Sequence, residues 1–148
     1  MGRLVEGKWQ TTWYKPDGEG RFVRPDTAFR DRVEAGDSAH YQAEAGRYHL
    51  YVGMACPWAH RTLVARALIG LEAVIDASVV SPLMGDDGWR FVPDEGGSID
   101  NLHGSRFLRE LYVRAAPSYS GRVTVPILWD RQHDTIVNNE SREIIRMM

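Results

Sequence analysis

Arg47-Tyr48-His49-Leu50-Tyr51-Val52-Gly53-Met54-Ala55-Cys56-Pro57-Trp58-Ala59 is the stretch on which the fold turns. Tyr48 to Val52 is rich in aromatic and branched residues that fit a pleated, half-buried surface, so residues 47–52 are expected to form a strand. Gly53 to Cys56 turns the chain, and Pro57 opens a helix, where its fixed φ and missing N–H suit the first helical position. Leu63, Val64, Ala67 and Leu68 recur at helical spacing, and Gly70 is placed to end the helix. A second strand over 74–80 completes a βαβ unit, whose strands are expected to lie parallel with a right-handed crossover.

Outward from this unit the pattern is less regular. Residues 1–46 are polar and Gly-rich, with Trp9, Trp13 and Tyr14 near the front and no sustained period. They are expected to form an extended arm whose aromatics either pack on the domain behind or serve a partner interface. Past a turn-rich loop over 85–89, Phe107, Leu108, Leu111 and Tyr112 predict a helix over 105–115. Residues 123–129 read as a strand, 130–134 as a hairpin turn and 135–137 as its return strand. Asn138 or Asn139 is expected to cap a last helix carrying Ile144, Ile145 and Met148. That helix has no stop signal, so its apolar face is expected to be cut short at Met148. The order βαβ then αββα predicts an α/β chain of thioredoxin-like layout, with a mixed central sheet and helices on both faces, over residues 47–148.

Composition narrows the function. With 148 residues, 43% hydrophobic and 26% charged, the chain can bury one core. A net charge of −2 and a pI near 6.2 argue against a polyanion-binding surface, and nucleic acid is not an expected partner. Lys8 and Lys15 are the only lysines, so basic charge rests on Arg, whose planar fork suits an acidic ligand. The apolar stretch from Leu63 to Val80 is broken by Arg66, Glu72 and Asp76, well short of the roughly 20 apolar residues of a membrane span. Met1 to Glu6 lacks the apolar run of a secretory signal, and a cytoplasmic location is expected. A single cysteine excludes an internal disulfide framework, which leaves Cys56 as either a buried hydrophobe or a working thiol.

Its position favours the second. Immediately before a first helical turn, unpaired backbone N–H groups and the helix dipole stabilise a thiolate. Ala59 occupies the place where a dithiol enzyme carries its second cysteine, so an external thiol must resolve any mixed disulfide made here. His60 follows on the same helix, as either a surface residue or an acid or base. The other histidines are scattered singly, and no metal site is expected. Pro126 inside a strand-like run must sit at a strand start, an edge or a bulge. A cis Val125-Pro126 bond would leave Val125 backbone groups free for an extended ligand, although a trans edge proline is the commoner arrangement. Asn139-Glu140-Ser141 fits the amino-acid end of a γ-glutamyl peptide, and helix capping explains Asn and Ser there equally well. Trp89, in a Gly-Asp loop, is either a stacking wall or a core anchor.

Taken in order, Tyr48 to Val52, Cys56-Pro57-Trp58-Ala59-His60-Arg61-Thr62, Thr124 to Asp130 and Thr135 to Ser141 closely resemble glutathionyl-hydroquinone reductases, the Xi-class, omega-like glutathione transferases. The resemblance covers essentially the whole chain. It implies a catalytic Cys56 that takes glutathione from a glutathionyl-hydroquinone, with glutathione as co-substrate and a second glutathione resolving the mixed disulfide. It also implies that Trp89, Arg122, Val123, Thr124, Val125, Glu140 and Ser141 line the glutathione site, with Pro126 in the cis form. Members of that family continue into an all-helical C-terminal domain that supplies hydroquinone-pocket tyrosines and most dimer contacts, and that domain is expected to be absent here. The partners implied are glutathione and small aromatic conjugates, with a homo-oligomer allowed. Two other readings stay open: a glutathione-binding fragment without efficient turnover, and a general monothiol glutaredoxin-like thiol transferase.

Overall fold

The computed structural model describes residues 2–12, 18–21 and 26–148, so Trp13 and Tyr14 lie outside the described residues. Its strands are β1 (Arg3–Val5), β2 (Lys8–Gln10), β3 (Tyr48–Gly53), β4 (Asp76–Val80), β5 (Ile127–Asp130) and β6 (Thr135–Asn138). Its helices are α1 (Pro57–Ile69), α2 (Leu108–Ala115) and α3 (Ser141–Met147), with one 3-10 turn at Pro93–Glu95.

β3 is buried along its whole length and lies inside a four-stranded sheet of order β4-β3-β5-β6. It runs parallel to β4 and antiparallel to β5, with Leu50 opposite both Ala77 and Leu128. This is the mixed sheet of a thioredoxin-like layout. The alternation of the strand sorts its side chains to two faces. Tyr48 and Leu128 face the end of α3 and the chain leaving α1, next to Met147, Leu71 and Val74. His49, Tyr51 and Trp129 face the loop before α2, where Tyr51 and His103 each meet Trp129 edge-on.

Polar groups on that second face are paired. The Tyr51 hydroxyl donates to Asp100 at 3.0 Å, and Asp100 also receives the N–H groups of Leu102, His103 and Ser105. Burial opposes a charge on Asp100, but these hydrogen bonds outweigh it and hold the carboxyl below its usual range. His49 contacts the Ser78 hydroxyl at 2.9 Å, and burial lowers its pKa to about 4. Where β3 begins, the Arg47 guanidinium grips Asp130 with two donors at 2.9 and 2.7 Å, and both side chains are nearly inaccessible.

Several boundaries differ from expectation, each for a tertiary reason. The second strand starts at Asp76, because Val74 and Ile75 close a turn on Leu71. The middle helix starts at Leu108: Phe107 pairs with Arg90 across an isolated bridge, and the Ser105 amide is taken by Asp100. The strand expected from Val123 starts at Ile127, because Val125-Pro126 is cis and stands at its entrance. The N-cap of α3 is Glu140, not an asparagine; its side chain accepts from the Arg142 amide, while Asn138 accepts the Glu140 amide through Oδ1 at 2.7 Å. The stretch expected to be only an extended arm contains the β1–β2 hairpin, which docks by two 2.9 Å backbone bonds between Leu4 and Gly121. Gly7 closes that hairpin at φ +74°, where an added Cβ would lie 2.0 Å from the Pro117 carbonyl. Further along, Phe29 and Asp31 bond to Asn139 and Val137 through the backbone, so the arm covers the outer edge of β6.

Candidate active site

Cys56 holds the N-cap position of α1 with an extended backbone (φ −101°, ψ 110°), its amide bonded to the Gly53 carbonyl at 3.1 Å. It is half-buried and unpaired with any sulfur. No side chain caps this helix, so the positive end of α1 is presented at the cysteine. The Cys56 Sγ lies 3.9 Å from the Val125 carbonyl, across from the cis Val125-Pro126 bond. Among the described residues nothing accepts the Val125 N–H. An extended ligand can therefore pair with this backbone beside the thiol.

The thiol opens onto a cleft of about 490 Å³. Every residue expected from the sequence lines it: Cys56, Trp89, Arg122, Val123, Thr124, Val125, Pro126, Glu140 and Ser141. Trp89 packs against the core and also lines the cleft. His60 is exposed and is not part of the lining. No group of His, Cys, Asp and Glu among the described residues is arranged to hold a metal ion. None of the described helices is long and apolar enough to cross a membrane.

The two walls of the cleft are tied by one buried hydroxyl. Tyr112 of α2 donates to the Thr124 carbonyl at 2.9 Å, accepts from the Thr124 amide at 3.2 Å and accepts from Asn139 Nδ2 at 3.0 Å. With its single proton committed to Thr124, the tyrosine oxygen must accept from Asn139, which sets the orientation of that amide. Burial pushes the Tyr112 pKa up, so the group stays a neutral hydroxyl.

Of the further lining residues, Arg61 and Met84 carry no assigned role in the sequence, and Trp9 is one of the arm aromatics expected either to pack on the domain or to serve a partner interface. Arg61 reaches Ser141 Oγ through two nitrogens at 3.1 and 2.5 Å. Its sequence signals are its place in the helix that Cys56 starts and its membership of the Cys56-to-Thr62 segment that carries the family resemblance. Trp9 brings the terminal hairpin to the cleft, with Nε1 donating to the Asp86 carbonyl at 2.9 Å and Arg109 stacked 5.1 Å from its ring. Met84 supplies apolar surface near Trp89.

Comparison with known proteins bears on the family to which the chain belongs. The glutathione S-transferase N-terminal domain matches residues 55–148. Glutathionyl-hydroquinone reductase PcpF of Sphingobium chlorophenolicum is 48% identical over 149 residues, which cover 100% of this chain and 46% of that protein. Glutathionyl-hydroquinone reductase YqjG of Escherichia coli K12 is 50% identical over 155 residues, covering 99% of this chain and 47% of its own. Among solved structures, the Xi class transferase of Natrialba magadii superposes with a TM-score of 0.88 at 55% identity, covering 99% of this chain and 44% of that one. The glutathione-bound structure of YqjG superposes with a TM-score of 0.81 at 46% identity, over 99% and 44% of the two chains. The chain thus spans about half the length of the curated relatives it matches. On these grounds it belongs to the glutathione S-transferases, through their N-terminal domain.

Proposed function

We propose that this chain is a glutathione-dependent thiol transferase of the glutathionyl-hydroquinone reductase kind, with residues 47–148 as its glutathione-binding unit and Cys56 as its nucleophile. The observation that carries the reading is the meeting, in one cleft, of a thiol at the N-cap position of α1, a Val125 amide with no acceptor among the described residues, and the Glu140–Ser141 pair. In this reading the Val125 backbone pairs with the cysteinyl unit of glutathione, which aligns the glutathione sulfur with Cys56 Sγ. Glu140 takes the ammonium group of the γ-glutamyl head and Ser141 its carboxylate, while Trp89 and the segment from Arg122 to Thr124 form the wall.

The chemistry balances as two exchanges. The Cys56 thiolate attacks the thioether sulfur of a glutathionyl-hydroquinone, an S–S bond forms and the sulfur–aryl bond breaks. The electron pair of that bond leaves with the ring carbon, which takes a proton, so the hydroquinone is reduced as the two sulfurs are oxidised to a disulfide. A glutathione thiolate then attacks the glutathione sulfur of the mixed disulfide, releasing oxidised glutathione and the Cys56 thiolate. Ala59 offers no second thiol, so this last step needs the external one. A reducing, glutathione-rich cytoplasm suits that requirement.

The test is turnover of a glutathionyl-hydroquinone by the chain with glutathione, followed by chromatography of the free hydroquinone, alongside Cys56→Ala. Hydroquinone release that disappears in the variant supports the reading, and equal release in both rejects it. A mass gain of one glutathione on Cys56 without hydroquinone release would make the chain a binding unit. Faster turnover of a small mixed disulfide than of the conjugate would make it a general thiol transferase.

A further inference from the structure

Arg61 stands at the end of the cleft where Glu140 and Ser141 meet. Its guanidinium contacts Ser141 Oγ twice, lies 4.0 Å from the Glu140 carboxylate and stacks 4.9 Å from the Trp58 ring centre. A guanidinium has donors only, so both contacts with Ser141 occupy acceptor positions on the hydroxyl oxygen. A hydroxyl has two lone pairs and one proton. With both lone pairs engaged, the proton is what Ser141 has left to offer, and among the described residues no acceptor takes it. Arg61 thereby makes Ser141 a committed donor and places a positive charge beside it.

Within the same few ångströms Glu140 supplies a negative charge. The three side chains present a donor with a cation, and next to them an anion. That is the complement of an α-amino acid head, which carries an ammonium and a carboxylate on one carbon. The Arg61–Glu140 contact by itself is long and partly exposed, and contacts of that kind contribute little to stability. Stacking on Trp58 holds the guanidinium plane where it can meet a planar carboxylate.

We infer that Arg61 is a specificity-determining residue that reads the α-carboxylate of the γ-glutamyl head, both through its own charge and by fixing Ser141 as a donor. This rests on the glutathione reading above and adds a third residue to that end of the site. A simple tie between α1 and α3 would instead change the binding of every ligand alike.

Calorimetric binding to the 148-residue chain separates the two. The probes are glutathione and an analogue whose γ-glutamyl α-carboxylate is a carboxamide. The variants are Arg61→Met, Arg61→Lys, Ser141→Ala and the Arg61→Met/Ser141→Ala pair. The expected result is that the unchanged chain prefers glutathione over the analogue by about tenfold or more, as a charge-assisted contact implies. Arg61→Met loses most of that preference, and the double variant is no worse than the weaker single one, because the two residues act as a unit. Arg61→Lys, which keeps the charge but has no fork to engage both lone pairs, recovers part of the preference, and it decides the question should the Met variant not fold. An undiminished preference in both Arg61 variants overturns the inference and leaves the glutathione reading standing. Absence of any glutathione binding by the unchanged chain overturns that reading itself.

Discussion

Replacing Tyr112 with phenylalanine removes a single oxygen from a fully buried position between the two walls of the cleft. Its hydrogen bonds go with it: the donation to the Thr124 carbonyl, the acceptance from the Thr124 amide and from Asn139 Nδ2, and a 3.3 Å contact with Thr124 Oγ1. Each bond contributes about 1 kcal/mol net, and each buried group left without a partner costs about 1–3 kcal/mol, so a total loss of about 2–4 kcal/mol is expected. Asn139 is the sorest point, because its Oδ1 already lacks a partner and the variant strips the other end of the amide. For a chain of this size such a loss lowers the melting temperature by roughly 5–15 °C. The same bonds fix the backbone of Thr124, next to the Val125 amide proposed to meet glutathione. The variant is therefore expected to bind glutathione more weakly even at temperatures where it is fully folded. Tyr48→Phe is the comparator: it loses a 2.6 Å bond to the Gln42 carbonyl, far from the cleft lining, and should lower stability without changing affinity. Urea unfolding gives the first quantity and calorimetric titration the second. If Tyr112→Phe unfolds within about 0.5 kcal/mol of the unchanged chain, a shift no larger than an ordinary surface substitution, and binds glutathione equally well, the hydroxyl is not the tie described.

Two further outcomes follow from buried charges. Because His49 has a folded pKa of about 4 against an unfolded 6.5, the unfolded chain binds the extra proton first; the contribution of neutral His49 is intact above pH 6.5 and declines as the pH falls toward 4. The decline amounts to about 2 kcal/mol by pH 5, so urea melts at pH 7 and 5 should show it in the unchanged chain and not in His49→Asn. Arg47→Met removes the buried cation that pairs with Asp130 and leaves that carboxylate only the Gln132 amide and His133, so a loss of about 3 kcal/mol is expected, whereas Arg47→Met/Asp130→Leu should recover part of it in the same melts.

The β3–α1 junction was legible because its signals are local: strand formers, a proline at the first helical position and a glycine at the end, which is αL in Gly70. The placement of Trp89, Arg122 to Val125, Glu140 and Ser141 around one cleft came through resemblance, since residues so far apart in the chain carry no local mark of their meeting. The hairpin at Arg3–Gln10 escaped for a related reason. Its three-residue strands are too short to show a period, and what orders them is Gly121, on the opposite side of the chain. Arg61 escaped because an arginine on a helix is ordinarily a solvated charge, and only the fold puts Ser141 against it.

The run from Phe29 to Asp31 along β6 bears on how this chain behaves in a crowded cell. An open strand edge is a template on which other chains can grow, and here that edge is occupied by the protein's own earlier residues. A protease that nicked the chain between this run and β3 would leave the sheet intact but unzip its border. A border loosened in this way is open to pairing with another chain, so the polypeptide ahead of the sheet shields the β6 edge.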